Sequence, residues 1–244
     1  MRRLVPIAAA HGVGNALLLW LGYYWLGLGE TRAATLAWSA LVALVLLCGS
    51  CWLYGATFAY FAPDRPRLRT ALRTSVRRLA PLAAAAIAVL AVYLALAWLA
   101  AASGQPAFRI ASYLTKLFRR PVKPSAVQGV FAVVLWLVRW MAAPVAALPV
   151  FAGIATRGRR AAGTRSRTRL YWIATPVLLV CALWLPLKLA GWTPHVGGFW
   201  MQMGSFAVRL AIAYLLFEGA WLTLAFLTSG GSPRDTQSST AVSP

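Results

Sequence analysis

The sequence predicts an all-α integral membrane protein in which six transmembrane helices form three helical hairpins. Hydrophobic residues make up 61% of the chain and charged residues only 11%, whereas a typical soluble domain has about 25% charged residues. The apolar residues form long blocks, and about 20 residues at about 1.5 Å each suffice to cross the hydrocarbon core. The predicted spans are 5–29, 33–62, 79–103, 126–155, 170–192 and 199–228.

These spans are predicted to form one membrane domain, residues 1–228. The turns at 30–32 and 193–198 are too short for anything but adjacent antiparallel helices, which is why we expect hairpins. The remaining residues, 229–244, are polar and lack apolar periodicity, so we predict a disordered tail.

Basic residues greatly outnumber acidic ones, with 24 Lys and Arg against 4 Asp and Glu and a formal net charge of +20. They occupy short segments between the apolar blocks, which is typical of anchoring to anionic lipid headgroups and not of nucleic-acid binding. Fifteen of them fall on the side of the termini and six on the other side. The positive-inside rule therefore predicts cytoplasmic termini in a bacterial-type inner membrane. Aromatic residues lie near the predicted outer ends, as in an interfacial belt: Tyr23, Tyr24, Trp25, Trp38, Trp98, Trp192 and Trp200.

The first and third spans begin with nearly the same sequence. RRLVPIAAA occupies 2–10 and RRLAPLAAAA occupies 77–86, and seven of the first nine positions are identical. In each copy a proline, Pro6 or Pro81, falls in the first helical turn, where its missing N–H costs little. A looser third copy begins at Thr168. The repeat favours duplicated hairpins, and chance similarity in a chain rich in Arg, Leu, Pro and Ala is the alternative.

The segment between the third and fourth spans predicts an amphipathic helix at about 107–120, ended by Pro121. At 100° per residue its apolar and basic side chains fall on opposite arcs, as in a helix that lies in the membrane interface. The alternative is an ordinary helix that caps its neighbours. The apolar arc holds Ile110, Tyr113, Leu114, Leu117 and Phe118, and the polar arc holds Arg109, Ser112, Lys116, Arg119 and Arg120.

Four ionisable residues lie within predicted spans, where a charge near the middle of the membrane costs about 2.5–3.5 kcal/mol. Such residues are candidates for ligand binding. Lys188 is near the outer end of its span and can reach the headgroups or pair with Glu30. Glu218 is the only acid in a predicted span, and we predict that it pairs with Arg139 at similar depth. Arg209 would then face an anionic ligand.

The excess of deep positive charge has three interpretations. One is a buried ion pair together with an arginine that bonds backbone carbonyls or reaches the headgroups. A second is an arginine that faces a polar cavity and binds an anion or a lipid headgroup. The third is a proton relay based on Glu218.

His11 and Asn15 are four residues apart on the first span, so they share a helix face and predict hydrogen bonds between helices. Heme ligation would require a second axial histidine, and the other one, His195, falls in a predicted outer loop.

CGSC at 48–51 has the spacing of a redox motif but lies within a span, so we interpret its cysteines as packing residues. The sequence predicts no cofactor and no metal site.

Together these features favour a non-enzymatic inner-membrane protein that transports or binds an anionic or lipid ligand. The sequence has no HExxH, no glycine-rich phosphate loop and no pair of aspartates within a span. The alternative is a scaffold or accessory subunit of a larger membrane complex, with its charges satisfied in packing and an apolar face reserved for a partner. The expected partners are a bilayer with anionic headgroups and other membrane subunits.

Overall fold

The computed structural model of the protein describes residues 4–29, 31–64, 66–158, 169–193 and 197–229, and their regular secondary structure is helical. Six helical stretches are long and apolar enough to cross a membrane, which confirms the predicted fold class. They are α1, α2, α4, the stretch from α6 to α7, the stretch from α8 to α9, and α10. The helices are α1 (Leu4–Leu26), α2 (Ala33–Tyr60), α3 (Leu68–Arg77), α4 (Leu79–Ala101), α5 (Gly104–Phe118), α6 (Pro124–Leu137), α7 (Ala143–Arg157), α8 (Arg169–Leu179), α9 (Leu185–Gly191) and α10 (Phe199–Ser229).

Some sequence predictions lie outside the described residues. These are the disordered tail from residue 230 onward, the pairing of Lys188 with Glu30, and the position of His195. The described chain divides into two compact units: Met1–Ala83 with Pro149–Pro244, and Ala84–Leu148.

In the first unit, α1 and α2 pack as an antiparallel hairpin, and glycines let the helices approach closely. A Cβ added to Gly14 would lie 2.8 Å from the Leu53 side chain of α2, so a larger residue there would force a shift. At the other end of the pair, the Trp25 indole Nε1 donates a hydrogen bond of 2.9 Å to Ser39 Oγ. Small residues at such contacts allow the close packing that stabilises membrane helices.

Helix α3 was predicted as part of a basic loop, and this is a difference between the sequence analysis and the structure. Its buried residues Ala71 and Ser75 lie four apart and face α2, while its arginines point outward. Ser75 Oγ donates to the Trp52 carbonyl at 2.7 Å. The helix is interrupted at Arg78, before α4 begins. The reason is that Pro81 has no N–H to bond the Arg77 carbonyl, and its ring crowds that carbonyl.

The proline of the second predicted repeat lies in the first turn of its helix, as predicted. α4 begins at Leu79, so Pro81 occupies the third helical position and its missing N–H is confined to that turn. Pro6 of the first repeat lies in α1, which is described from Leu4 onward.

Two of the membrane-crossing stretches each contain one turn of π-helix, at Val138–Ala142 and at Val180–Trp184. In both places the residue after the turn bonds five residues back: Ala143 N–H to the Val138 carbonyl, and Leu185 N–H to the Val180 carbonyl. Each π-turn is followed, after one intervening residue, by a proline, Pro144 or Pro186. Because a proline ring clashes with the carbonyl four residues earlier, the widened turn moves that carbonyl aside.

The second unit contains most of α4 together with α5 and α6. The predicted amphipathic helix is present as α5, slightly longer at its start and shorter at its end than 107–120. It buries Ala107 and Ala111 and exposes Tyr113 and Phe118. It ends because Arg119 adopts a left-handed conformation with φ of 52°, two residues before the proline that the sequence analysis proposed as the stop.

Candidate functional site

A polar cluster lies inside the first unit where α1, α2 and α10 meet. His11 Nδ1 lies 2.6 Å from Glu218 Oε2, and Asn15 Nδ2 donates to Glu218 Oε1 at 2.8 Å. The Tyr54 hydroxyl of α2 donates to Asn15 Oδ1, also at 2.8 Å. The Tyr214 hydroxyl of α10 donates to the Gly12 carbonyl of α1. The polar cluster consists of His11, Asn15, Tyr54, Tyr214 and Glu218.

Local helix geometry explains how one carboxylate joins both side chains of α1. His11 and Asn15 are one turn apart on the same face, about 6 Å along the axis. The two carboxylate oxygens of Glu218 each accept one of their bonds. His11 is 0% exposed, Asn15 3% and Glu218 8%, so the cluster is shielded and its hydrogen bonds are strong.

Aromatic rings enclose the cluster on the side of α2. The Tyr54 ring meets the His11 ring edge-on, with centroids 5.3 Å apart, and meets the Trp221 ring in the same way at 4.9 Å. Trp221 in turn stacks on Phe217, one turn earlier in α10. These rings fill the space beside the hydrogen bonds with apolar surface, which keeps the local dielectric constant low.

The partner of Glu218 differs from the predicted one. The sequence analysis paired Glu218 with Arg139, whereas the structure gives Glu218 hydrogen-bond partners in His11, at 2.6 Å, and Asn15, at 2.8 Å. The physical reason is that α10 packs on α1 within the first unit, while Arg139 belongs to the second unit. The predicted role of His11 and Asn15 in hydrogen bonds between helices is confirmed.

Arg209 uses its donors within the helix packing. Its Nε donates to the Ser205 carbonyl and its Nη1 to the Leu189 carbonyl, both at 3.2 Å. The guanidinium also lies over the Phe206 ring, 5.8 Å from its centroid, and the residue is only 9% exposed. This is the arrangement of the first interpretation above, in which an arginine bonds backbone carbonyls, and it joins α10 to α9.

The other two basic candidates contact aromatic rings. Arg139 lies in the π-turn of the second unit, with its guanidinium 5.8 Å from the Tyr93 centroid and 5.6 Å from the Trp140 centroid. Lys188 Nζ lies 5.7 Å from the Trp184 ring near the end of α9. Both basic residues are exposed. The polar cluster therefore contains three of the six predicted site residues, namely His11, Asn15 and Glu218.

A groove with a volume of about 970 Å³ lies in the first unit, and the sequence analysis did not predict it. It is formed by the start of α1, the end of α2, the start of α3 and the last turns of α10. Gly219, the neighbour of Glu218 in the chain, lines it. We call it the basal groove, and its lining residues are Leu4, Pro6, Tyr60, Phe61, Pro66, Arg67, Leu68, Gly219, Leu222, Thr223 and Phe226.

Tyr54 and Tyr214 are further site residues that sequence reasoning missed. Their position within apolar spans could have identified them, because a buried tyrosine needs a hydrogen-bond partner for its hydroxyl. The two cysteines of CGSC are unpaired, as expected for packing residues, and Cys51 is buried. Within the described ranges, no three His, Cys, Asp or Glu side chains are grouped to hold a metal ion.

The fold and the polar cluster define the class of the protein as an all-α, multi-pass membrane protein with a polar cluster buried among its helices. No protein-family model, no curated protein and no solved structure matches the chain.

Proposed function

We propose that this protein is a non-enzymatic component of a bacterial-type inner membrane that binds a lipid with an anionic headgroup in the basal groove. The single observation that carries the proposal is the groove, which is predominantly apolar and has one basic side chain, Arg67, in its lining. Binding of this kind is the first step of lipid transport.

The size and lining of the groove suit a lipid. Pockets for small molecules have volumes of about 300–1,000 Å³, and the basal groove is at the upper end of that range. Apolar side chains such as Leu222 and Phe226 offer a surface from which acyl chains exclude water. Tyr60, Arg67 and Thr223 are the lining residues with polar side chains, and they form no pair of acid and base that would suggest catalysis.

Charge complementarity favours an anionic headgroup. Arg67 is exposed and precedes α3, and a guanidinium matches the geometry of a phosphate with two parallel hydrogen bonds. Arg69, Arg73 and Arg77 continue along the exposed side of α3. Anionic lipids are attracted to such basic segments by about 1 kcal/mol per residue near the membrane surface.

The orientation of the chain is part of this proposal. The positive-inside rule places the basal groove and both termini at the cytoplasmic face. Reporter fusions after residue 244 and within 193–198 should therefore report opposite sides of the membrane. A cytoplasmic signal from both positions would contradict the six-span orientation.

Native mass spectrometry of the purified protein in mild detergent tests the proposal. The protein is mixed with phosphatidylglycerol or with phosphatidylcholine of the same acyl chains, and the bound lipids are counted. We expect phosphatidylglycerol to remain bound at collision energies that remove phosphatidylcholine. Thr223→Trp should abolish this retention because the indole fills the groove, and Arg67→Gln should weaken it.

Arg73→Gln is the matched control, since Arg73 is an exposed arginine of α3 that does not line the groove. It should retain more phosphatidylglycerol than Arg67→Gln does, because it loses only the general attraction of the basic segment and not a contact in the groove. Equal retention of the two lipids, or equal losses in Arg67→Gln and Arg73→Gln, would contradict a specific site in the groove.

A role as an accessory subunit of a larger complex is the second candidate, and Arg139 favours it. This arginine lies near the middle of the span Pro124–Arg157, is exposed, and contacts two aromatic rings. A deep exposed arginine is costly unless another molecule supplies an anion. If a partner subunit supplies this anion, Arg139→Leu should release that subunit during native purification. Lys188→Leu, which removes another exposed cation, is the control and should not release it. Co-purification of the same proteins with both variants would contradict this role.

A further inference from the structure

Helix α5 leaves its large apolar side chains uncovered. Its buried residues are two alanines, Ala107 and Ala111. In contrast, Ile110 is 40% exposed, Tyr113 66% and Leu117 59%. A helix that only caps its neighbours would bury its largest apolar side chains, because these gain most by leaving water. The burial pattern therefore argues against the capping role that the sequence analysis left open, and it leaves an apolar face without a cover from this chain.

The side chains of α5 fall on three faces of the helix. Ile110, Tyr113 and Leu117 occupy positions i, i+3 and i+7 and form an apolar stripe about 60° wide. The residue before each of these is polar and exposed, and at 100° per residue the resulting polar stripe runs beside the apolar one. The polar stripe is on the side of the helix away from the buried alanines, so it faces outward. It consists of Arg109, Ser112 and Lys116.

The connections of α5 place it at the level of the membrane surface. The helix joins the end of α4, at Ala101, to the start of the span Pro124–Arg157. After α5 the chain folds back, because the Val122 N–H donates to Thr115 Oγ1 at 2.9 Å. Three further exposed cations therefore stay close to the last turn of the helix, namely Arg119, Arg120 and Lys123.

The second unit carries positive charge without any acid. Residues 84–148 contain no Asp or Glu, so no carboxylate of the unit pairs with its cations and they are open to an anionic partner. An anionic phospholipid suits both stripes at once, since its acyl chains cover the apolar stripe and its phosphate meets the cations beside it. The cations of the unit are Arg109, Lys116, Arg119, Arg120, Lys123 and Arg139.

We propose that α5 lies in the plane of the membrane and anchors the second unit to anionic phospholipids of the leaflet on its side. The apolar stripe lies among the upper parts of the acyl chains, and the cations contact the phosphates of neighbouring lipids. The anchor is separate from the basal groove, whose lining residues all belong to the first unit. It involves the lipids around α5 and not a lipid bound in the groove, so it does not depend on the proposed function.

Fluorescence from α5 tests the position of the helix in the full-length protein, reconstituted into lipid nanodiscs. The environment-sensitive amino acid dansylalanine replaces Tyr113 of the apolar stripe or Ser112 of the polar stripe. We expect blue-shifted emission, typical of an apolar environment, from the probe at 113 and emission of a more polar environment from the probe at 112. Water-like emission from both positions would overturn the proposal.

Lipids with a nitroxide near the top of one acyl chain measure which headgroups surround α5. Phosphatidylcholine nanodiscs contain the same small fraction of labelled phosphatidylglycerol or of labelled phosphatidylcholine. We expect labelled phosphatidylglycerol to quench the probe at 113 more strongly, by up to about fivefold, the enrichment that one cation near the surface provides. The same probe at Leu94, an exposed residue of α4, is the control and should be quenched equally by both lipids.

Two double variants test whether the cations of α5 cause this preference. Arg109→Gln with Lys116→Gln should lower the ratio of the two quenching strengths at 113 and leave the emission blue-shifted. Arg69→Gln with Arg73→Gln removes the same charge from exposed positions of α3 and should keep the ratio. Equal quenching by the two lipids in the parent protein, or equal losses in both double variants, would overturn the anionic partner. Blue-shifted emission that neither lipid quenches would mean that a protein covers the stripe, and it would overturn the lipid anchor.

Discussion

The pairing of His11 with Glu218 should dominate the stability of the α1–α10 contact, and Glu218→Ala tests this. The substitution removes both acceptors, which now lie 2.6 and 2.8 Å from their donors. Hydrogen bonds to charged groups contribute about 1.5–3 kcal/mol each. The substitution also leaves His11 and Asn15 buried without this partner, and each unsatisfied buried polar group costs about 1–3 kcal/mol. We therefore expect the free energy of unfolding to fall by about 3–5 kcal/mol.

A double-mutant cycle separates this pairing from general damage to α10. The variants are Glu218→Ala, His11→Phe and the double variant, unfolded with sodium dodecyl sulfate in mixed micelles and followed by circular dichroism. We expect the double variant to be more stable than the sum of the single losses predicts, with a coupling energy of about 2–3 kcal/mol, since residues in contact couple by about 0.5–3 kcal/mol. Leu215→Ala, at a residue of α10 that is 69% exposed, is the control and should change little.

Additive losses in the double variant would refute the reasoning. They would mean that His11 and Glu218 stabilise the fold independently of each other and not through the contact between them.

The remaining predictions concern packing and hydrogen bonds in the first unit. Gly55→Val should destabilise the protein by about 1–3 kcal/mol in thermal unfolding, because a Cβ there lies 2.6 Å from side chains of α3 and α4. Gly204→Val is the control and should lose no stability, because a Cβ there has open space and valine has a higher helix propensity than glycine. Arg78→Met should cost about 1.5–3 kcal/mol in the same assay, since it removes the bond of 2.5 Å to the Ala155 carbonyl, whereas Arg73→Met should not. Tyr54→Phe should cost about 0.5–1.5 kcal/mol through its lost bond to Asn15, and no measurable loss would contradict the described geometry.

The six spans could be predicted from the sequence because a membrane imposes a simple length and polarity requirement on each helix. α3 was missed for a related reason: its arginines gave the segment the composition of a loop, although Ala71 and Ser75 are spaced for one helix face. Two small residues at helical spacing are a weak signal of an amphipathic helix in a segment that contains so many arginines.

The polar cluster could be predicted only in part. His11 and Asn15 are linked by local spacing, and Glu218 is conspicuous as an acid in an apolar span, so each was identified as a candidate. The contact between α1 and α10 joins residues 207 apart in the chain, and hydropathy does not specify which spans are neighbours. The basal groove is formed by four separate helix ends, so its residues share no local pattern.

Photo-crosslinking from the basal groove tests the proposed function most directly. A benzophenone amino acid replaces Leu222 in the groove or, as the control, the exposed Leu215 on the same helix. Each protein is reconstituted into phosphatidylcholine vesicles in which phosphatidylglycerol is the minor lipid, and the adducts are identified by mass spectrometry. We predict that Leu222 adducts are enriched in phosphatidylglycerol while Leu215 adducts follow the bulk composition. Leu222 adducts that also follow the bulk composition would contradict a groove selective for anionic lipid.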